Sequence, residues 1–177
     1  MLKSNAVRYT FMFVLLVLLQ VLVFNRITFL YYAVPFAYIY FIIKLPIGTN
    51  RNITTLLGFL LGFTIDIFTN TPGINAATTT LIGFLCIPIQ KLIFATDDYN
   101  GQAPAMSIHV GAFVKYTIFL TLVHHIVLMS LESFSCFNIE LLLIRIFASF
   151  LITTALILAF EGLFRKKKQK SSWQKTA

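Results

Sequence analysis

Long apolar runs recur along nearly the whole chain, and they leave it few ways to fold. Stretches such as 11–19 and 53–61 do not alternate apolar with polar residues, as the strands of a closed membrane barrel would. Each helical crossing of a ~30 Å hydrocarbon core takes about 20 residues. A chain of 177 residues with short connections therefore accommodates about six spans and has no room for a separate soluble domain. Only 11% of the residues are charged, against about 25% in soluble domains, too few to cover a water-facing surface. Aromatics, mostly Phe, make up 15%, which excludes a disordered segment. The expected fold is all-α: a polytopic membrane bundle of about six transmembrane helices.

The runs place helices at about 7–24, 27–43, 53–69, 74–94, 110–131 and 141–163. The second carries Pro35, and Asn70-Thr71-Pro72-Gly73 breaks the third from the fourth. Residues 1–164 read as one transmembrane domain and 165–177 as a basic tail. The longest connection, 95–109, holds Asp97, Asp98, Gly101 and Pro104; the acidic pair reads as a solvated turn. The first apolar stretch lacks a small-x-small cleavage site and runs into Asn25-Arg26, so it is expected to remain as an uncleaved helix.

The formal charge of +8 is concentrated, five of the 14 basic residues lying within Arg165–Lys170 directly after an apolar run. Such a cluster marks a cytoplasmic anchor near anionic lipid. No basic stripe interleaved with stacking aromatics points to nucleic acid. With the N-terminus in the cytoplasm, Lys3, Arg8, Lys44, Arg51, Lys91, Lys115 and the six basic residues of the tail lie inside, and only Arg26 and Arg145 outside. The positive-inside rule thus puts both termini in the cytoplasm. Asn52-Ile53-Thr54 matches a glycosylation pattern by chance, on the cytoplasmic side. Cys86 falls in the fourth helix and Cys136 in a short connection, neither in a metal-ligating or Cys-x-x-Cys spacing, so no disulfide, metal or cofactor is expected.

Asp66 is the informative ionisable group. It lies inside the third run, about three residues from the helix end, where a charge costs roughly 2.5–3.5 kcal/mol on insertion scales and calls for a partner. Gly58, Gly62 and Asp66 are spaced by four and share one helix face, the glycines allowing close backbone approach. One reading is a packing seam whose aspartate caps the next helix; the other is a partner-binding groove. Asn75, or the free backbone donors at the start of the fourth helix, can hydrogen-bond the carboxylate. Arg145 sits at a similar depth, as do His124 and His125 less favourably, and an Asp66–Arg145 pair is expected from depth and charge. The two histidines differ by about 100° around their helix and cannot share one metal as an i, i+4 pair would; interior hydrogen bonding is the expectation. No Gly-x-Ser-x-Gly, phosphate loop or His-Glu-x-x-His occurs, so no enzyme is expected.

The run Gly-Phe-Leu-Leu-Gly-Phe-Thr-Ile-Asp-Ile-Phe, followed by Thr-Pro-Gly-Ile-Asn-Ala-Ala and Leu-Ile-Gly-Phe, resembles the MreD family of bacterial rod-shape-determining membrane proteins. The matching elements are Gly62, Asp66, Gly73, Asn75, Ala76 and Gly83. Phe63 stands where the family often has Leu, and the specific likeness covers about 26 residues, Gly58–Gly83. The resemblance implies a non-enzymatic inner-membrane component of the elongation machinery. Its implied partners are MreC and, through it, MreB, RodA and the elongation-specific penicillin-binding protein. It also implies a fold similar to the substrate-binding subunits of energy-coupling-factor transporters. The alternative function is accordingly a small-molecule-binding transporter subunit, using Asp66, Asn75, His124 and Arg145 around an outer cavity.

Overall fold

Where an apolar run is long and free of proline near its start, the chain is helical. The computed structural model describes residues 2–26, 33–94, 101–133 and 138–163. Its helices are α1 (Leu2–Leu22), α2 (Ile39–Ile43), α3 (Arg51–Thr69), α4 (Ile74–Ile93), α5 (Val110–Glu132) and α6 (Ile139–Leu163). Five segments are long and apolar enough to cross a membrane: Ala6–Arg26 and the helices α3, α4, α5 and α6. The basic tail beyond 163, the acidic pair Asp97-Asp98 and Cys136 lie outside the described residues.

The expected helix over 27–43 is corrected. Residues 27–32 lie outside the described part, residues 33–38 are not helical, and only the five residues of α2 are. Pro35 lacks an N–H and disfavours helical backbone at the residue before it. A non-helical backbone inside an apolar bundle needs other partners, and distant side chains supply them. Val34 N–H donates to Ser149 Oγ (3.1 Å), Phe36 N–H to Thr153 Oγ1 (3.0 Å) and Ala37 N–H to Gln20 Oε1 (2.9 Å). Gln20 Nε2 in turn donates to the Pro35 carbonyl at 3.1 Å. One amide thus closes both sides of the opened backbone.

These contacts give the direction of each element. Between Val34 and Lys44 the chain meets α6 first at Ser149, then Thr153, then Glu161, a path of about 18 Å at 1.5 Å per residue. It runs with α6 and against α1, whose Gln20 meets Ala37 and whose Phe13 ring meets Phe41. The start of α1 and the end of α6 therefore share one end of the bundle, called here the Arg51 end. The α3–α4 turn, with Asp66, marks the other. Arg8, Lys44, Lys91 and Lys115 fall toward the Arg51 end and Arg26 and Arg145 toward the Asp66 end.

Helices α3 and α4 form the tightest unit. A Cβ on Gly58 would strike the Thr79 carbonyl, one on Gly62 the Asn75 carbonyl, and one on Gly83 the Thr54 carbonyl. Because the obstacles are backbone atoms, larger residues would force the helices apart. Thr54 Oγ1 donates across the seam to Gly83 O at 2.9 Å. The glycine face of α3 is thus occupied by α4 of the same chain, while Phe59, Phe63 and Ile67 on other faces are exposed.

Candidate functional site

The turn that joins α3 to α4 builds the site. Asn70 ends α3 in the left-handed region (φ +54°), and its N–H returns to the Asp66 carbonyl. Gly73 enters α4 at φ +80°, a conformation open to glycine at little cost. The first turn of α4 is thereby folded back over the end of α3, bringing its unpaired N–H groups onto the Asp66 side chain.

Asp66 is 5% exposed and its carboxylate is fully used. Oδ2 accepts Ala76 N–H at 2.8 Å. Oδ1 accepts Asn75 N–H at 3.1 Å, Asn75 Nδ2 at 2.9 Å and the Thr71 hydroxyl. Two of the four orphan donors of a helix N-terminus are met by an anion placed at the positive end of the helix dipole. The bonds to Asn75 and to the α4 backbone are those the sequence led us to expect.

The expected Asp66–Arg145 pair is corrected. Arg145 Nη2 meets Glu132 Oε1 at 3.5 Å, on the last residue of α5. The Asp66 carboxylate is met by Asn75, Ala76 and Thr71 instead. Both residues lie toward the same end of the bundle, but the neighbours that each meets are set by angular position, which sequence depth does not give.

A hydrogen-bonded chain leads inward from the clasp. Asn75 spends Nδ2 on Asp66, which turns its Oδ1 toward the Tyr38 hydroxyl at 2.7 Å. Having donated its one proton there, Tyr38 accepts from His124 Nε2 at 3.1 Å, which assigns the His124 tautomer. His125 Nδ1 donates to the Thr121 carbonyl (2.7 Å) and its Nε2 accepts from Thr153 Oγ1 (3.1 Å). The Phe36 ring lies against both imidazoles. Both histidines are held by interior hydrogen bonds, and among the described residues no group of three His, Cys, Asp or Glu side chains is placed to hold a metal.

Beside this clasp lies a cavity of about 440 Å³. It is lined by Ile65, Thr71, Ile74 and Asn75 of the turn region, by Val34 and Phe36, and by Glu132 and Arg145. Of the candidate residues, Asn75 and Arg145 face this cavity. Asp66 and Ala76 are bonded behind its wall, Gly73 shapes the turn, and Gly58 and Gly62 are closed in the seam.

A second polar cluster, at the Arg51 end, escaped the sequence reasoning. Lys44 Nζ donates to Glu161 Oε2 (3.1 Å), Glu161 Oε1 (3.2 Å) and the Pro104 carbonyl (2.6 Å). Tyr40 Oη and Met106 N–H complete the Glu161 carboxylate at 2.6 and 3.3 Å. A carboxylate in the last turn of an apolar helix, facing a lysine assigned to the same end, was the signal available.

No protein-family model, curated protein or solved structure matches this chain. The fold and site define a helical, multi-span membrane protein whose central hairpin is clasped by a buried aspartate.

Proposed function

We propose that the chain is a non-enzymatic component of the bacterial cell-elongation machinery, seated in the cytoplasmic membrane with both termini cytoplasmic. In this reading it binds an MreC-like membrane protein and, through it, MreB, RodA and the elongation-specific penicillin-binding protein. One observation carries it. Four of the six residues that resemble the MreD motif, Asp66, Gly73, Asn75 and Ala76, meet at a single clasped turn, and Ile65, Ile74 and Asn75 from that stretch border an end cavity. A rigid hairpin end beside a recess suits docking of a partner segment. The stripe of Gly58 and Gly62 serves that role indirectly, by holding α4 against α3.

A second reading is favoured by the cavity itself. Its volume of about 440 Å³ falls in the range of small-molecule sites, roughly 300–1,000 Å³, and Asn25, Asn75, Glu132 and Arg145 line it. These polar side chains around a cavity support the alternative of a small-molecule-binding transporter subunit.

Affinity purification of the tagged full chain, co-expressed with an MreC-like protein, tests the first reading. Phe68 is 61% exposed and lines the cavity with Arg145. The double variant Phe68→Ser, Arg145→Gln is expected to retain its thermal midpoint and to recover about tenfold less partner, as loss of interface anchors predicts. Equal recovery by variant and parent would overturn the docking role. A small molecule retained through purification, with no partner recovered, would select the second reading.

A further inference from the structure

The Arg51 end carries a recess that the proposed docking function does not use. It measures about 410 Å³ and is lined by Gly48, Thr49, Asn50, Arg51, Ile87, Pro88 and Lys91. Two of these are cations, and among the described residues no carboxylate lines it.

Arg51 is held in place by an irregularity of α4. Pro88 lies inside that helix and has no N–H, so the carbonyl four residues earlier, Phe84 O, loses its helical donor. Arg51 Nε supplies the missing bond at 3.3 Å, and its guanidinium carbon stands 3.5 Å from the centroid of the Phe84 ring. Fixing the guanidinium through Nε and its face leaves the Nη donors with no partner among the described residues, and Lys91 Nζ likewise. A guanidinium already held in one geometry loses less freedom when it binds a planar or tetrahedral oxyanion.

Position supplies the rest. Arg51 is the first residue of α3 and Lys91 lies in the last turn of α4, so both stand where two membrane-crossing helices meet the headgroup layer. Just inside that level, Ile53, Leu56 and Phe84 are exposed, a bed for acyl chains. We propose that this recess binds the phosphate of an anionic phospholipid headgroup, with Arg51 and Lys91 as its ligands. Basic recesses between transmembrane helices select such lipids by the same chemistry.

The test uses the full chain in nanodiscs of phosphatidylcholine doped with phosphatidylglycerol, reading bound phosphatidylglycerol by native mass spectrometry. Arg51→Gln, Lys91→Gln is expected to bind about thirtyfold more weakly, and Lys91→Gln alone about fivefold, at the usual contribution of each cation near a surface. Lys91 makes no contact that folding needs, so the single variant keeps the test decisive if the double variant fails to fold. Arg8→Gln, Lys115→Gln removes the same charge from the same end but away from the recess, and is expected to leave binding unchanged. Equal losses in the two double variants would overturn the site in favour of diffuse charge attraction. Binding of inorganic phosphate that depends on Arg51 and Lys91, with no preference for phosphatidylglycerol over phosphatidylcholine, would also overturn it, assigning the recess to a soluble anion.

Discussion

Replacing Asp66 by Ala is expected to lower the stability of the chain by about 3–5 kcal/mol, read as a fall of about 10 °C or more in the thermal midpoint in detergent. The reason is the number of donors the carboxylate serves. Without it, Asn75 N–H and Ala76 N–H are stranded at a buried position, each costing about 1–3 kcal/mol, and Asn75 Nδ2 keeps only Thr71 Oγ1. The Asn75 side chain would also lose the bond that orients it toward Tyr38, loosening the link to His124. Asp66→Asn keeps the size but replaces one acceptor oxygen with an amide NH2 donor, which would face Asn75 or Ala76 donors, and it removes the charge from the dipole of α4. It is expected to show more than half the effect of Asp66→Ala. A midpoint within 2 °C of the parent for both variants, on the order of 1 kcal/mol or less, would contradict the clasp.

The second large effect lies at the opposite end. Lys44 and Glu161 side chains are 10% and 8% exposed, so each ion has lost most of its hydration. Removing one partner from such a pair costs about 3–5 kcal/mol, because the survivor stays buried and charged, whereas removing both costs far less. Lys44→Met leaves the Glu161 carboxylate with Tyr40 and Met106 alone; Glu161→Gln leaves the ammonium facing mainly Pro104 O. Each single variant is expected to be destabilised by about 3 kcal/mol. The combined variant is expected to be no worse than either single one, a coupling of about 3 kcal/mol or more in a double-mutant cycle. Thermal unfolding of the four proteins measures it, and strictly additive losses would show that the pair is not an interacting unit. This cluster ties α2 and the 101–109 connection to α6.

What could be read from the residues alone followed from how local the governing physics is. Helices α3 to α6 fall within a few residues of their expected limits because each is an apolar run bounded by strong stop signals, Asn70 to Gly73 above all. The Asp66–Asn75 bond was legible for the same reason, both partners flanking one turn. The segment at 33–38 was not. Its non-helical backbone is tolerated only because Gln20, Ser149 and Thr153 reach it from two distant helices, and apolar composition carries no trace of that. The Arg145 partner failed similarly, since depth gives height in the bundle but no angular position. Spacing did place Gly58 and Gly62 on one face, yet could not say whether the helix filling it came from this chain or from another.

In the proposed function the clasped end of the α3–α4 hairpin receives a partner. Benzoylphenylalanine in place of Phe68, at the cavity wall, and in place of Phe119, exposed on α5 away from it, tests this by photo-crosslinking in cells that hold an MreC-like protein. A covalent adduct with that protein is expected from position 68 and none from position 119. Adducts of equal yield from both positions, or none from 68, would contradict it.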